Sequence, residues 1–168
     1  MSKKIIYVLI VLVVIIAVAV AVYFLTTQNQ QEGDNANNVT IDLQALNTTL
    51  SSQPPFNEMA TMDITMETLN TMYQITADEV EAVIGKMPMM NVKASMYAIL
   101  KPTNGKAEEV KAQMETYLTS YEEQWATYLP DQYELVKNRA FEEINGYLVY
   151  VISEDNEAFL NVVRQALQ

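Results

Sequence analysis

Aspartate and glutamate are the acid–base side chains that this sequence offers in quantity, and five of the 21 form two clusters. Glu142 and Glu143 are adjacent, and Glu154, Asp155 and Glu157 follow soon after. Two carboxylates on either side of a sugar could hydrolyse a glycosidic bond. A structural interpretation is simpler, because neighbouring strand residues point to opposite faces and acids at a helix start interact favourably with the helix dipole. The second cluster also lacks the alternating oxygen ligands of a calcium loop, so neither cluster is assigned a catalytic or metal-binding role.

The chain has no histidine and no cysteine, which narrows the chemistry further. It therefore cannot build a Ser-His-Asp triad, a cysteine nucleophile or an ordinary zinc site. No serine is followed by lysine three positions later, and the four glycines form neither a phosphate-binding nor a dinucleotide-binding loop. The sequence predicts no catalytic residues, no metal ligands and no cofactor.

Methionine is the one soft metal ligand of the chain. A methionine-rich segment runs from Met87 to Met90, and four further methionines precede it, namely Met59, Met62, Met66 and Met72. Thioether sulfurs bind Cu(I), so these residues could belong to a metal sensor. Methionine is also a common filler of irregular cores, and we favour that interpretation.

A series of aromatic side chains recurs at helical spacing further along the chain. Its members are Tyr117, Tyr121, Trp125 and Tyr128. The spacing places them on one face of a helix. Such a face could stack against sugars, but we predict that it is part of the core.

The amino-terminal region carries an unbroken apolar run from Ile5 to Leu25. At about 1.5 Å per residue a helix of this length reaches roughly 30 Å, the thickness of a bilayer's hydrocarbon core. The run is too long for a cleaved signal peptide, and a chain without cysteine has no lipobox. We predict an uncleaved, single-pass signal anchor in the lipid bilayer. Lys3 and Lys4 keep the stub of residues 1–4 in the cytoplasm and place the carboxy-terminal part outside the cell.

The part that follows the predicted anchor divides into a linker and a domain. Residues 26–38 are polar and rich in asparagine and glutamine, which predicts a flexible linker. All 21 acidic residues follow Leu25, whereas two of the ten basic residues precede it, so the outer part carries a net charge of −13. That charge argues against nucleic acid as a partner. Residues 39–168 suffice for one small extracytoplasmic domain.

The predicted elements of this domain are helices and strands in mixed order. They are a helix from Ile41 to Leu50, a helix from Met66 to Tyr73, strands from Val80 to Ile84 and from Ala94 to Leu100, a helix from Lys106 to Leu129, a short helix from Pro130, a hairpin turning at Asn145 and Gly146, and a helix from Asp155. Thr40 and Thr65 are the predicted caps of the first two helices. This order favours an α+β fold with a mostly antiparallel four-stranded sheet and helices packed on one face.

Three segments between Gly105 and Ser153 carry a resemblance to a known family. They are the helix start GKAEEVKAQ, the helix end YLPDQYELVKN that runs into a proline, and the closing hairpin INGYLVYVIS. With them the chain resembles the domain of unknown function 4358 family, found among Gram-positive bacterial surface proteins. The resemblance implies a surface location, a tether and a single compact domain, and it supplies no catalytic residue. Many such proteins are tethered as lipoproteins, whereas this chain has no lipobox cysteine.

We therefore expect a membrane-anchored, extracytoplasmic binding or interaction module of the bacterial cell envelope rather than an enzyme. Its expected partners are the bilayer, through the run from Ile5 to Leu25, and an envelope protein or wall component. The alternative is a carboxylate-based hydrolase or lyase that acts on cell-wall glycans. The sequence leaves the oligomeric state open.

Overall fold

The structure is a computed structural model, and it describes residues 41–168. The stub of residues 1–4, the predicted anchor from Ile5 to Leu25 and the predicted linker of residues 26–38 lie outside the described residues. Among the helices of residues 41–168, none combines the length and the apolar character that crossing a membrane requires.

The domain is built on a five-stranded antiparallel sheet with the spatial order β1-β2-β3-β5-β4. The strands are β1 (Thr61–Asp63), β2 (Val80–Pro88), β3 (Met96–Pro102), β4 (Ala140–Ile144) and β5 (Tyr147–Ile152). The α+β class is confirmed, but the predicted number of four strands is wrong. The additional strand is β1, a short edge strand that pairs with Lys86 to Pro88, so β2 continues beyond its predicted end at Ile84.

The described residues form five α-helices. These are α1 (Leu43–Ser51), α2 (Met66–Thr68), α3 (Ala107–Trp125), α4 (Pro130–Lys137) and α5 (Asn156–Ala166), and a π-helical turn (Leu69–Tyr73) continues α2. Thr65 caps α2 as predicted. The cap of α1 is Asp42 rather than the predicted Thr40, because the helix begins at Leu43 and the Asp42 carboxylate accepts from the amides of its first turn.

Helices pack on both faces of the sheet, which corrects the prediction that they share one face. The side chains of β3 show why: Ala98 and Leu100 belong to the core beneath α3, α4 and the π-helical turn, whereas Tyr97 and Ile99 belong to the core beneath α1 and α5. Because successive strand residues point to opposite faces, a strand that is apolar throughout needs cover on both sides. The fully buried run in β3 and β5 meets that requirement.

The β4–β5 hairpin confirms the clearest local prediction. Asn145 and Gly146 occupy its turn with φ values of 49° and 74°. Asparagine and glycine tolerate this left-handed region better than other residues, so they suit a two-residue turn between antiparallel strands.

The long helix α3 is shorter than predicted. It ends at Trp125 instead of Leu129, and the chain turns before Pro130, which is the first residue of α4. The residue before a proline is disfavoured in the helical region, so the proline separates the two helices. As a result, Tyr128 is 53% exposed, whereas the sequence predicts that it is part of the core together with Tyr117, Tyr121 and Trp125.

Candidate binding groove

A groove of about 460 Å³ lies between α3 and the chain that leaves β2. We call it the methionine–aromatic groove. Its apolar lining consists of Met72, Met87, Pro88, Met89, Met90, Tyr117, Tyr121, Trp125 and Tyr128, and its polar lining of Asn91, Lys93 and Gln124. The methionine segment and the aromatic series, which the sequence presents as separate features, therefore face each other across one cavity.

The groove concentrates the exposed apolar side chains of the described residues. Met89 is 64% exposed, Met90 54%, Tyr128 53% and Met72 41%. Only two other large apolar side chains in residues 41–168 are exposed to a similar degree, Met62 and Val92. Singly exposed apolar residues are ordinary, whereas a group of them around one concavity is typical of a binding surface.

One wall of the groove comes from the π-helical turn that follows α2. The turn directs Tyr73 into the core and leaves Met72 exposed at the groove. It ends at Gln74, whose φ of 59° lies in the left-handed region although Gln74 is not a glycine. The Gln113 side-chain amide donates to the Gln74 carbonyl over 3.0 Å and so fixes this turn to α3. Both π-helical turns and left-handed residues other than glycine occur preferentially at functional sites.

The opposite wall, formed by residues 87–93, is fixed to α3 and α4 just beyond the groove. The Ala94 amide donates to the side-chain oxygen of Gln132 over 2.9 Å, and the Tyr121 hydroxyl donates to the Ala94 carbonyl over 3.4 Å. These two contacts satisfy both backbone groups of a buried residue. The wall is therefore positioned by the helices that it faces.

A continuous series of aromatic rings connects the groove to the interior. Adjacent rings have centroids 3.9–6.4 Å apart in the order Tyr150, Tyr73, Tyr117, Tyr121, Trp125 and Tyr128. Such separations are those of favourable aromatic pairs, for which stacked and edge-on geometries both contribute. The inner end is fully buried and the outer end is exposed, so the groove rests on a packed aromatic base.

Burial keeps the phenols of this base protonated. It raises the pKa of Tyr73 and Tyr150 far above the usual range and also raises the pKa of Tyr117. Burial raises the pKa of Tyr121 to about 12. The Tyr117 hydroxyl has no hydrogen-bond partner among the described residues although it is buried. None of these groups can act as an acid or base near neutral pH.

A second, more polar cavity of about 360 Å³ extends the groove along α3. It shares Met72, Tyr117 and Gln124 with the methionine–aromatic groove, and Gln113 and Ser120 add polar groups. The side-chain oxygen of Gln113 is buried without a hydrogen-bond partner in the described part of the chain.

The charge around the groove is uneven. Lys93 is the one charged side chain in its lining, although the sequence holds 21 acidic residues. Beyond the polar extension, α3 presents a shallow surface that includes Glu115 and Glu123 and shares Thr116 and Ser120 with that extension. The groove therefore carries one positive charge, and the carboxylates of α3 border its polar extension rather than the groove itself.

The two carboxylate clusters that the sequence singles out have structural partners. Asp155 caps α5, and its side chain accepts from the Ala158 amide over 2.9 Å. Arg164 joins the clusters, because it binds both oxygens of Glu142 over 2.8 and 2.9 Å and one oxygen of Glu157 over 2.6 Å. Glu143 and Glu154, also candidates, are exposed.

The methionines of the predicted soft-metal set separate into several places. Met72 and the segment from Met87 to Met90 come together in the groove, whereas the others do not line it. Met62 lies on β1 opposite Met87, Met66 packs on the core beneath α3, and Met59 packs on the other face of the sheet. No group of three or more Asp or Glu side chains within residues 41–168 is arranged to hold a metal ion.

Comparison with known proteins identifies the family of the chain but no individual protein similar to it. No curated protein and no solved structure matches the chain. The family described as Domain of unknown function (DUF4358) matches residues 56–153, which is more than half of the chain and includes both walls of the groove. The chain therefore belongs to the domain of unknown function 4358 family, as the helix start, the helix end and the closing hairpin of its sequence predict.

Proposed function

We propose that this protein is a membrane-anchored interaction module of the bacterial cell envelope, and that its extracytoplasmic domain binds an apolar segment of another envelope protein. The apolar run from Ile5 to Leu25 acts as the anchor, and residues 26–38 tether the domain outside the membrane. The methionine–aromatic groove is the binding surface.

The observation that carries the proposal is the composition of the exposed groove. Tyrosine, tryptophan and methionine are enriched in protein interfaces, and charged residues are depleted from interface centres. Flexible methionine side chains such as Met89 and Met90 can adapt to a partner, while the rigid rings beneath them offer a large contact area. A stack of rings open to a sugar would need exposed ring faces, yet Trp125 is only 4% exposed.

The hydrolase alternative receives no comparable support. It requires a pair of carboxylates facing each other across a cleft. Glu142 and Glu157 instead share the Arg164 guanidinium, and Asp155 caps a helix. These contacts assign the carboxylates a structural role, and none of them lines the methionine–aromatic groove.

Site-specific photo-crosslinking in intact cells tests the proposal. A photoreactive residue replaces Met89 in the full-length protein, and a matched control carries it at the exposed Glu143 on β4, the opposite edge of the sheet. We expect one discrete protein adduct from position 89 that disappears when Met90→Asp is added to the same chain. The same adduct from position 143, or an adduct that survives Met90→Asp, would contradict the proposal.

A replacement of the anchor separates its role from that of the domain. The run from Ile5 to Leu25 is exchanged for an unrelated membrane-spanning helix while the photoreactive residue remains at position 89. We expect the adduct to persist, because recognition takes place in the groove. Loss of the adduct would place recognition within the bilayer instead.

A further inference from the structure

We infer that the methionine–aromatic groove is a site of oxidative modification, at which a hydroperoxide converts Met72, Met89 and Met90 to methionine sulfoxides and so releases the bound segment. The release rests on the proposed function, because it takes the groove as the binding surface. The modification itself rests only on the positions of the methionines.

Exposure distinguishes the methionines of the groove from the others. Nine of the ten methionines of the chain lie within residues 41–168, and four of these nine are exposed. Three of the four, Met72, Met89 and Met90, line the groove. The fourth is Met62 on β1, which does not line it. A dissolved oxidant reaches exposed thioethers first, so the modification concentrates at this one surface.

The chemistry needs only the thioether and the peroxide. A lone pair of the sulfur attacks one oxygen of the hydroperoxide, so that an S–O bond forms and the O–O bond breaks. The sulfur loses two electrons, which reduce the peroxide. The hydroxyl proton passes to the departing oxygen, which leaves as water or an alcohol. Because the chain has no cysteine, methionine is the only sulfur that it offers to such an oxidant.

Oxidation changes the property on which the proposed binding depends. A thioether is apolar and flexible, whereas a sulfoxide is polar. Met89 and Met90 are the two most exposed large apolar side chains of the described residues, so a bound apolar segment would cover them. Covering a sulfoxide oxygen removes its hydrogen bonds to water without replacing them. We expect each covered sulfoxide to weaken binding about tenfold.

The core is protected from the same reaction. Met96 and Met114 are fully buried between α3 and the sheet, and the Met96 sulfur accepts a hydrogen bond from Tyr150. Met72 shows the separation within one turn, because it is exposed while its neighbour Tyr73 is buried. The domain should therefore remain folded while the groove loses its apolar surface.

Peptide mapping tests the modification on the purified full-length protein. The protein is treated with hydrogen peroxide for increasing times, catalase removes the peroxide, and mass spectrometry measures the sulfoxide at each methionine. We expect Met72, Met89 and Met90 to be oxidised well before Met96 and Met114, with circular dichroism and the midpoint of urea unfolding unchanged. Equal rates in groove and core, or unfolding that accompanies the first sulfoxides, would overturn the inference.

Glutamine variants test the release without exposing the partner to an oxidant. Glutamine resembles methionine sulfoxide in length and polarity, so Met72→Gln, Met89→Gln and Met90→Gln together imitate the oxidised groove. Met62→Gln is the matched control, because Met62 is exposed outside the groove. The photoreactive residue is placed at Asn91, which lines the groove and leaves every methionine in position. We expect the triple glutamine variant to reduce the adduct at least about tenfold, and the control to retain it.

Peroxide treatment of isolated cell envelopes joins the two measurements. We expect it to lower the adduct yield from position 91 at least about tenfold. In a chain with Met72→Leu, Met89→Leu and Met90→Leu, the ratio of the yields after and before treatment should stay near one, because no sulfur remains at these positions. An equal fall in the leucine variant would show that the partner is oxidised instead of the groove, and would overturn the inference.

The remaining outcomes separate the inference from the proposed function. Retention of the adduct in the triple glutamine variant, or its equal loss in Met62→Gln, would overturn the inference while the adduct itself still supports a binding groove. Absence of any adduct from position 91 in the untreated, otherwise unaltered chain would contradict the proposed function and the release. The peptide map would then still decide whether the groove is the site of modification.

Discussion

The hydroxyl groups of Tyr73 and Tyr150 are hydrogen-bonded to each other in the interior of the domain. Tyr150 also donates to the sulfur of Met96 over 3.7 Å, so Tyr73 is the donor of the pair. This contact joins the π-helical turn, which forms one wall of the groove, to β5, an interior strand of the sheet. Groove geometry and core packing are therefore coupled through one buried polar contact.

The first prediction concerns this pair. Tyr150→Phe leaves the buried Tyr73 hydroxyl without its acceptor, and we expect the free energy of unfolding to fall by about 1–3 kcal/mol. The double variant with Tyr73→Phe should lose less than the sum of the single losses, because both polar groups are then absent. Urea unfolding followed by Trp125 fluorescence measures these values. Strictly additive losses would show that the hydroxyl pair does not act as a unit.

The second prediction is a loss of stability at alkaline pH. The ordinary pKa of tyrosine is 10.0, and burial raises the pKa of Tyr73, Tyr150 and Tyr117 above that value and the pKa of Tyr121 to about 12. Above pH 10 the unfolded chain loses these protons while the folded chain retains them. The stability is therefore fully present below about pH 10 and falls as the pH rises through the folded pKa values.

Tyrosinate absorbance and far-ultraviolet circular dichroism, recorded together from pH 9 to 13, check this prediction. We expect the absorbance of the buried tyrosines to appear only as the helical signal is lost. The chain in which Tyr73 and Tyr150 are both phenylalanine should lose less stability per pH unit. Ionisation of the buried rings in a fully folded protein would contradict the burial described here.

The third prediction concerns acid and the turn that leads into β2. Hydrogen bonds from the Thr76 hydroxyl, and then from its amide, lower the pKa of Glu79 from its ordinary value of 4.5. The unfolded chain therefore takes up this proton first, and the stabilisation present above about pH 4.5 is lost as the pH falls towards the folded pKa. Glu79→Gln should flatten the acid limb of a profile of unfolding free energy against pH, measured by urea unfolding. An acid limb identical to that of the unaltered protein would exclude this role.

The fourth prediction concerns close packing inside the sheet. A Cβ atom added to Gly85 would lie 2.5 Å from the Tyr97 carbonyl oxygen and 3.1 Å from the Ile64 side chain. Gly85→Ala should destabilise the domain by about 1–3 kcal/mol, because backbone on β3 must shift. Gly105→Ala is the matched control: its Cβ would meet no atom within 4 Å, and only the φ of 81° opposes it. It should cost about 1 kcal/mol, so an equal or greater loss at Gly105 would contradict the steric argument.

The fifth prediction separates the two properties of methionine in the groove. Replacing Met87, Met89 and Met90 together by leucine preserves apolar area but removes three thioether sulfurs. Because position 89 is then occupied by leucine, the photoreactive residue is placed at Met72, which also lines the groove. We expect it to give the same adduct as position 89, and the free energy of unfolding to change by less than about 1.5 kcal/mol. Silver(I), a redox-stable analogue of Cu(I), provides the contrasting assay. If the unaltered protein binds silver, and the triple leucine variant loses both that affinity and the crosslinked adduct, the methionines act as soft-metal ligands rather than as an apolar surface.

Local signals in the sequence predict much of this fold. The Asn145-Gly146 turn, the Thr65 cap and the proline that starts α4 each depend on contacts within a few residues, and each is found. By contrast, β1 is a three-residue strand without an apolar alternation of its own. It exists because its backbone pairs with β2, and such a long-range contact leaves little trace in a local pattern.

The groove illustrates the same limit. The sequence singles out the methionine segment and the aromatic series, but it predicts both as core. Nothing local indicates that Met72 and Met89 face the same cavity, because the π-helical turn and the end of β2 meet only through the fold. Tyr128 is exposed because α3 ends at Trp125, whereas the sequence predicts an end four residues later, at Leu129.

The pairing of β3 with β5 joins parts of the chain that are far apart in the sequence. The β2–β3 and β4–β5 hairpins each close through a short connection. By contrast, Met96 of β3 pairs with Ile152 of β5, and the connection between them includes α3 and α4, so this contact closes a much longer loop. The methionine segment of the groove belongs to the first hairpin, whereas Tyr117, Tyr121 and Trp125 lie on α3, within the connection between β3 and β5. We therefore expect a destabilising substitution between β3 and β5 to disturb the groove without altering any residue that lines it.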